Sequence, residues 1–125
     1  MALVAIAVPV AVFSAAWHVQ RTRGVARAVA SIEREPRDVV IVSRLAHLGR
    51  EGGAWYGDNR WLNAAGDPGT ADAASIAAQA DVRRIDVVTL DEGQRAQDLA
   101  GWDVAQRRRV PYLGFHLVVT SYTRR

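Results

Sequence analysis

Cysteine and lysine are both absent from this chain. Without cysteine there is no disulfide framework, no thiolate nucleophile and no thiolate-built zinc site. Without lysine, all sixteen basic residues are arginines. Beside the abundant alanine this reads as coding bias in a GC-rich genome rather than as selection for bidentate anion recognition. The glycines match neither the dinucleotide fingerprint nor a phosphate-binding loop. Ser43 follows an apolar run but lacks the Gly-x-Ser-x-Gly elbow that would expose it as a nucleophile. The three histidines show no metal-ligand spacing. No catalytic residue, metal or cofactor is therefore expected from motifs, and no internal repeat or low-complexity linker divides the chain.

What is present begins with "ALVAIAVPVAVFSAAWHV", residues 2–19, which carries no charge apart from a histidine near its end. Eighteen residues at about 1.5 Å each span roughly 27 Å, close to the hydrocarbon thickness of a bilayer. The leading expectation is a transmembrane helix over residues 1–20. Pro9 is tolerated in such a span, and Trp17 and His18 suit its interfacial level. Two alternatives stay open: a signal peptide ending at "SAA", although no basic residue opens the run, and a helix buried in a core.

Residues 21–35, "RTRGVARAVASIERE", form an amphipathic, Arg-rich connector in which Val25, Val29 and Ile32 recur at helical spacing. Pro36 ends it, because the residue before a proline is pushed out of the helical region. Residues 36–125 are left for a small α/β domain. The formal charge is +3, yet residues 36–125 hold 12 Arg against 11 acidic residues, and residues 21–35 hold 4 Arg against 2 Glu. The domain is thus nearly neutral, and the excess is a collar beside the apolar run. Lipid head groups explain such a collar better than nucleic acid does, so the expected partner is a membrane.

Within the domain, "DVVIV" (38–42) and "RIDVVTL" (84–90) read as strands covered on both faces. "DPGT" followed by residues 71–80 reads as a capped helix, which implies a parallel crossover between the two strands. "DVAQRRRV" and "FHLVVTSY" flank "PYLG", an antiparallel hairpin at the sheet edge. The "RRR" run (107–109) reads as a solvated guard of that edge. The fold expected is a small, mostly parallel sheet of about four strands with one or two helices and a C-terminal antiparallel hairpin, behind the transmembrane helix.

The stretch "HLGREGGAWYGDNRWL" (47–62) follows the first strand, where α/β sheets place ligands. Arg44, Arg50 and Arg60 can pair anions, Tyr56 and Trp61 can stack on planar faces, and Asp58 can accept hydrogen bonds. These six are the candidate ligand-binding residues. The opposing reading makes Trp55, Tyr56 and Trp61 a lid over the core. Carboxylate pairs at Glu51 with Asp58, or Asp91 with Glu92, are weaker candidates for acid/base work. His47 with a nearby acid is the alternative enzymatic reading, a small membrane-tethered α/β hydrolase.

The order of features, an apolar helix, an Arg-bearing connector, "PRDVVIVS", an aromatic-Gly loop with "RWL", a helix, "IDVVTL" and a closing hairpin, resembles the C-terminal part of actinobacterial polytopic membrane proteins. These are glycosyltransferase-like proteins of the protein-mannosyltransferase type. The resemblance implies an extracytoplasmic domain beside other transmembrane helices, in a system that uses lipid-phosphate-linked sugars. It also implies that catalysis lies in membrane parts absent here. The expected role is therefore a membrane-anchored accessory or binding domain, part of or partner to a glycan-assembly protein and not catalytic alone. Arg21, Arg23 and Arg27 pull the other way, since positive residues beside a span favour the cytoplasmic side.

Overall fold

The computed structural model describes residues 2–33, 39–45, 47–52, 57, 59–64, 75, 79, 81–90, 96 and 98–125, with the backbone alone for 2–9 and 52. One helix, α1 (Ala2–Ile32), runs through both the apolar segment and the connector without a break. Its two halves behave differently. In the second half Val25, Ala28, Val29 and Ile32 are buried against the sheet, at the spacing that makes one helical face. In the first half Val10, Val12, Phe13, Trp17 and Val19 are all exposed. The connector is thus a core element of the domain and not a spacer in front of it. At about 1.5–3 kcal/mol for each large apolar side chain removed from water, this stripe contributes substantially to holding α1 on the sheet.

Among the described residues, no helix is long and apolar enough to cross a membrane. That description leaves out the side chains of residues 2–9, which hold the first part of the charge-free run.

Five strands form one sheet: β1 (Val39–Ser43), β2 (Arg60–Ala64), β3 (Arg84–Leu90), β4 (Trp102–Tyr112) and β5 (Phe115–Arg124), in the spatial order β2-β1-β3-β5-β4. β1 pairs parallel with β2 and β3. β5 pairs antiparallel with both β3 and β4. The sheet is therefore mixed rather than mostly parallel: the contiguous parallel strands β2-β1-β3 carry the expected hairpin on their β3 edge, and it docks there antiparallel through β5. It has five strands rather than four, because "RWLNA" is the edge strand β2 and not loop. The helix expected over residues 71–80 lies outside the described residues, apart from Ser75 and Gln79.

Burial on both faces explains the continuous apolar runs. All five residues of β1 are buried. On the helix side Val40, Val42, Val88, Leu117 and Val119 pack with α1, Leu45 and Leu48. On the far side Val39, Ile41, Ile85 and Val87 pack with Val82, Leu99, Trp102 and Tyr122. Asp86, fully buried in β3, stands in register with Val40 of β1 and Ser121 of β5.

The hairpin turns in two residues, Leu113 (φ 45°) and Gly114 (φ 88°). Both central residues at positive φ are the signature of the turn whose twist matches the flanking strands. Pro111, expected in the turn, instead sits in β4 opposite His116; on an edge strand its missing N–H leaves no ladder bond unmade. The arginine run is not uniformly solvated either. Arg108 is half-buried, and its guanidinium donates to the Ile32 carbonyl (3.1 Å) and to Ser31 Oγ (3.5 Å). A cation placed on the last carbonyls of α1 satisfies groups that the helix cannot pair itself.

Candidate functional site

A π-helical turn, Leu48–Gly52, follows β1. It is anchored by Leu48, which is fully buried, and by amides of Leu48 and Gly49 that both donate to the Leu45 carbonyl (2.9 and 3.3 Å). Arg44 precedes it in the left-handed backbone region (φ 58°). Such a conformation costs a non-glycine residue on the order of 1 kcal/mol. Here it lets the chain leave β1, and the Arg44 amide donates to Ala64 at the end of β2 (3.3 Å). Arg44 and Arg50 are both exposed.

The described candidates, Arg44, Arg50, Arg60 and Trp61, do not all share one surface. In β2, neighbouring side chains point to opposite faces. Trp61 turns to the helix side, where it packs against the core, and its Nε1–H donates to Glu33 Oε1 at 2.5 Å. The same carboxylate oxygen accepts the Asn59 amide at 3.1 Å. Arg60 turns the other way, and its guanidinium lies 3.8 Å from Asp81. Both members of that pair are well exposed, so the pair is worth little. Tyr56 and Asp58 lie outside the described residues, as do Trp55, Asp91 and Glu92. Trp61 is a partly buried side chain, held by packing against the core and by the Glu33 carboxylate.

His47 does meet a partner, but a phenol. Its Nε2 is 2.7 Å from Tyr112 Oη, with the rings tilted at 6.0 Å, and Tyr112 stacks edge-on against Phe115 at 5.2 Å. Glu51 lies 3.7 Å from Arg21 of α1. Burial pushes the Tyr112 hydroxyl above its ordinary value; the nearby Arg21 charge lowers it and Glu51 raises it. The phenol is therefore neutral at physiological pH and is held as a hydrogen-bonding partner. Among the described residues no cluster of metal-binding side chains is found.

What the structure does bring together is the place where α1 leaves the sheet. Gly24 sits under the hairpin tip so closely that a Cβ there would come within 2.7 Å of Leu113 Cδ2. Around this contact open two adjoining grooves. One, of about 930 Å³, is lined by Trp17, Arg21, Arg23, Gly24, Arg27 and Leu113 among others. The second, of about 570 Å³, continues along Arg27, Ser31 and the hairpin to Phe115 and His116. Leu113 and Phe115 are exposed. Reading "PYLG" as a turn and "FHLVVTSY" as the strand after it passed over these two residues. The available signal was large apolar side chains at a turn, where polar residues and glycine are usual.

The fold is that of an α/β domain with a mixed five-stranded sheet and one long N-terminal helix. Compared with family models, with curated proteins and with solved structures, the chain matches none.

Proposed function

We propose that this chain is a membrane-anchored, non-catalytic accessory domain: α1 enters the bilayer with its first half and serves as a wall of the domain with its second. The observation that carries this reading is the split of a single helix. Residues 25–32 bury one stripe on the sheet, while Val10, Val12, Phe13, Trp17 and Val19 project apolar surface from a segment that the domain leaves uncovered. In water such a surface is a liability, and in a bilayer it is the contact surface of a span. Other transmembrane helices of a larger assembly are further partners for it.

Membership of a glycan-assembly system rests on the resemblance in feature order, which assigns the domain to the extracytoplasmic face. The arginine collar argues for the opposite face. Both questions yield to one experiment. Ala100, exposed in a turn between β3 and β4, is replaced by cysteine in a chain that has none of its own. Resistance of the chain to alkaline extraction tests anchoring. Labelling of Ala100→Cys by an impermeant thiol reagent in intact cells supports the extracytoplasmic assignment, and protection until the membrane is opened refutes it. Release at alkaline pH refutes the anchor.

The hydrolase reading has less behind it. His47 is engaged by a buried tyrosine, and Glu51, four residues on, by Arg21.

A further inference from the structure

The hairpin tip and the emerging helix lie side by side, and the residues they share have complementary chemistry. On α1, Trp17, Arg21, Gly24 and Arg27 follow one another at steps of four, three and three, which places them on one face. Gly24 is where Leu113 lands. Trp17 lies seven residues earlier, about 10 Å along the axis toward the apolar end. Arg23 and Arg27 are both exposed, and neither has a carboxylate partner among the described residues, whereas Arg21 is already opposed by Glu51. The groove between helix and hairpin thus has an apolar rim, made of Trp17 and Leu113, and two guanidinium groups that no described carboxylate opposes.

We propose that this groove seats the head group of an anionic phospholipid, with Arg23 and Arg27 on the phosphate and with Trp17 and Leu113 against the glycerol and upper acyl chain. Phe115, exposed beside the tip, extends the apolar contact. The hairpin tip then rests on the bilayer surface and fixes the tilt of the domain on its anchor. The proposal deepens the membrane reading and depends on it. Charge complementarity selects an anionic over a zwitterionic lipid: a phosphate flanked by choline leaves the arginines facing a cation, whereas phosphatidylglycerol offers them net negative charge. Arginine suits the task, since its planar fork binds phosphate oxygens in pairs.

The test uses the full chain in bilayers of phosphatidylcholine alone or with phosphatidylglycerol. A fluorophore is placed at His116→Cys, exposed one residue beyond Phe115, and is quenched by a spin label carried on the head group of one lipid or the other. The expected result is a preference of roughly ten- to thirtyfold for the anionic lipid at the hairpin, the order that two arginines at a charged surface provide. Arg23→Gln with Arg27→Gln should bring that preference to near one without changing the circular dichroism or the alkaline-resistant fraction. Equal quenching by both lipids overturns the proposal, as does an unchanged preference in the double variant. Loss of quenching when soluble glycerophosphate is added, with the chain still embedded, also overturns it, because the site would then bind free phosphates. Loss of the chain from the bilayer at alkaline pH marks instead the failure of the anchor itself.

Discussion

The indole of Trp61 donates its N–H to Glu33, twenty-eight residues earlier in the chain, at 2.5 Å. That bond ties the edge strand β2 to the end of α1, and it changes how the aromatic loop should be tested. A binding defect in a Trp61 variant would report lost structure before it reported lost contact.

Trp61→Phe keeps most of the apolar contact and leaves Glu33 without its indole donor. A loss of about 1–2 kcal/mol is expected. Trp61→Ala adds a cavity and should cost about 3 kcal/mol or more. Urea denaturation of both variants checks the ordering, and equal midpoints for Trp61→Phe and the wild type would show that the bond contributes nothing.

Arg108 caps the end of α1 from a distant strand, reaching from β4 to the Ile32 carbonyl. Arg108→Ala should destabilise the domain by about 1–2 kcal/mol. Arg107→Ala and Arg109→Ala, at exposed positions of the same run, lose only surface contacts and should cost less, within about 1 kcal/mol. A thermal melt series across the three neighbours distinguishes a cap from a general charge effect.

Tyr112 titrates above its ordinary value of 10.0, chiefly because it is buried. The folded state therefore holds the phenolic proton more tightly than the unfolded chain does. The sign follows from linkage: below the unfolded value both states are protonated and stability is unaffected, and above it stability falls as pH rises toward the folded value. Denaturation midpoints should decline from about pH 10 upward. Tyr112→Phe should remove that part of the decline while losing the bond to His47. An identical alkaline slope in the variant would assign the decline to other groups.

Gly49 lies against the side-chain amide of Asn63 with no room for a Cβ. Gly49→Ala should therefore push the exposed Asn63 side chain aside and destabilise the turn after β1 only modestly, by about 1 kcal/mol or less. Combining it with Asn63→Ala should recover much of the loss. A double-mutant cycle on denaturation midpoints measures this, and strict additivity would show that the two residues do not compete for space.

The strands legible in the sequence were those with burial on both faces. "DVVIV" and "IDVVTL" are apolar because helix and loop segments cover the sheet from two sides, so the run itself reports the environment. β2 was hidden because "RWLNA" is an edge strand with exposed positions, directly behind a glycine-rich stretch of sequence. The edge hairpin was legible too, but local pattern does not show that it docks on β3 through its second strand, which is what makes the sheet mixed. Candidate site residues were chosen for chemistry and for nearness in sequence. Adjacent positions in a strand point to opposite faces, and Arg60 and Trp61 were separated by that alternation.

The sequence by itself determined the charge-free run, the arginine collar beside it, the apolar stripe at residues 25, 29 and 32, and the two buried strands. Each of these is written in residue periodicity, which local geometry translates directly. Only the tertiary structure decided that the stripe closes onto the sheet, that Arg108 caps the helix it never neighbours in sequence, and that Leu113 settles on Gly24 beside the collar. Those relationships join residues dozens of positions apart. They arise from the order in which strands dock, and no local period encodes that order.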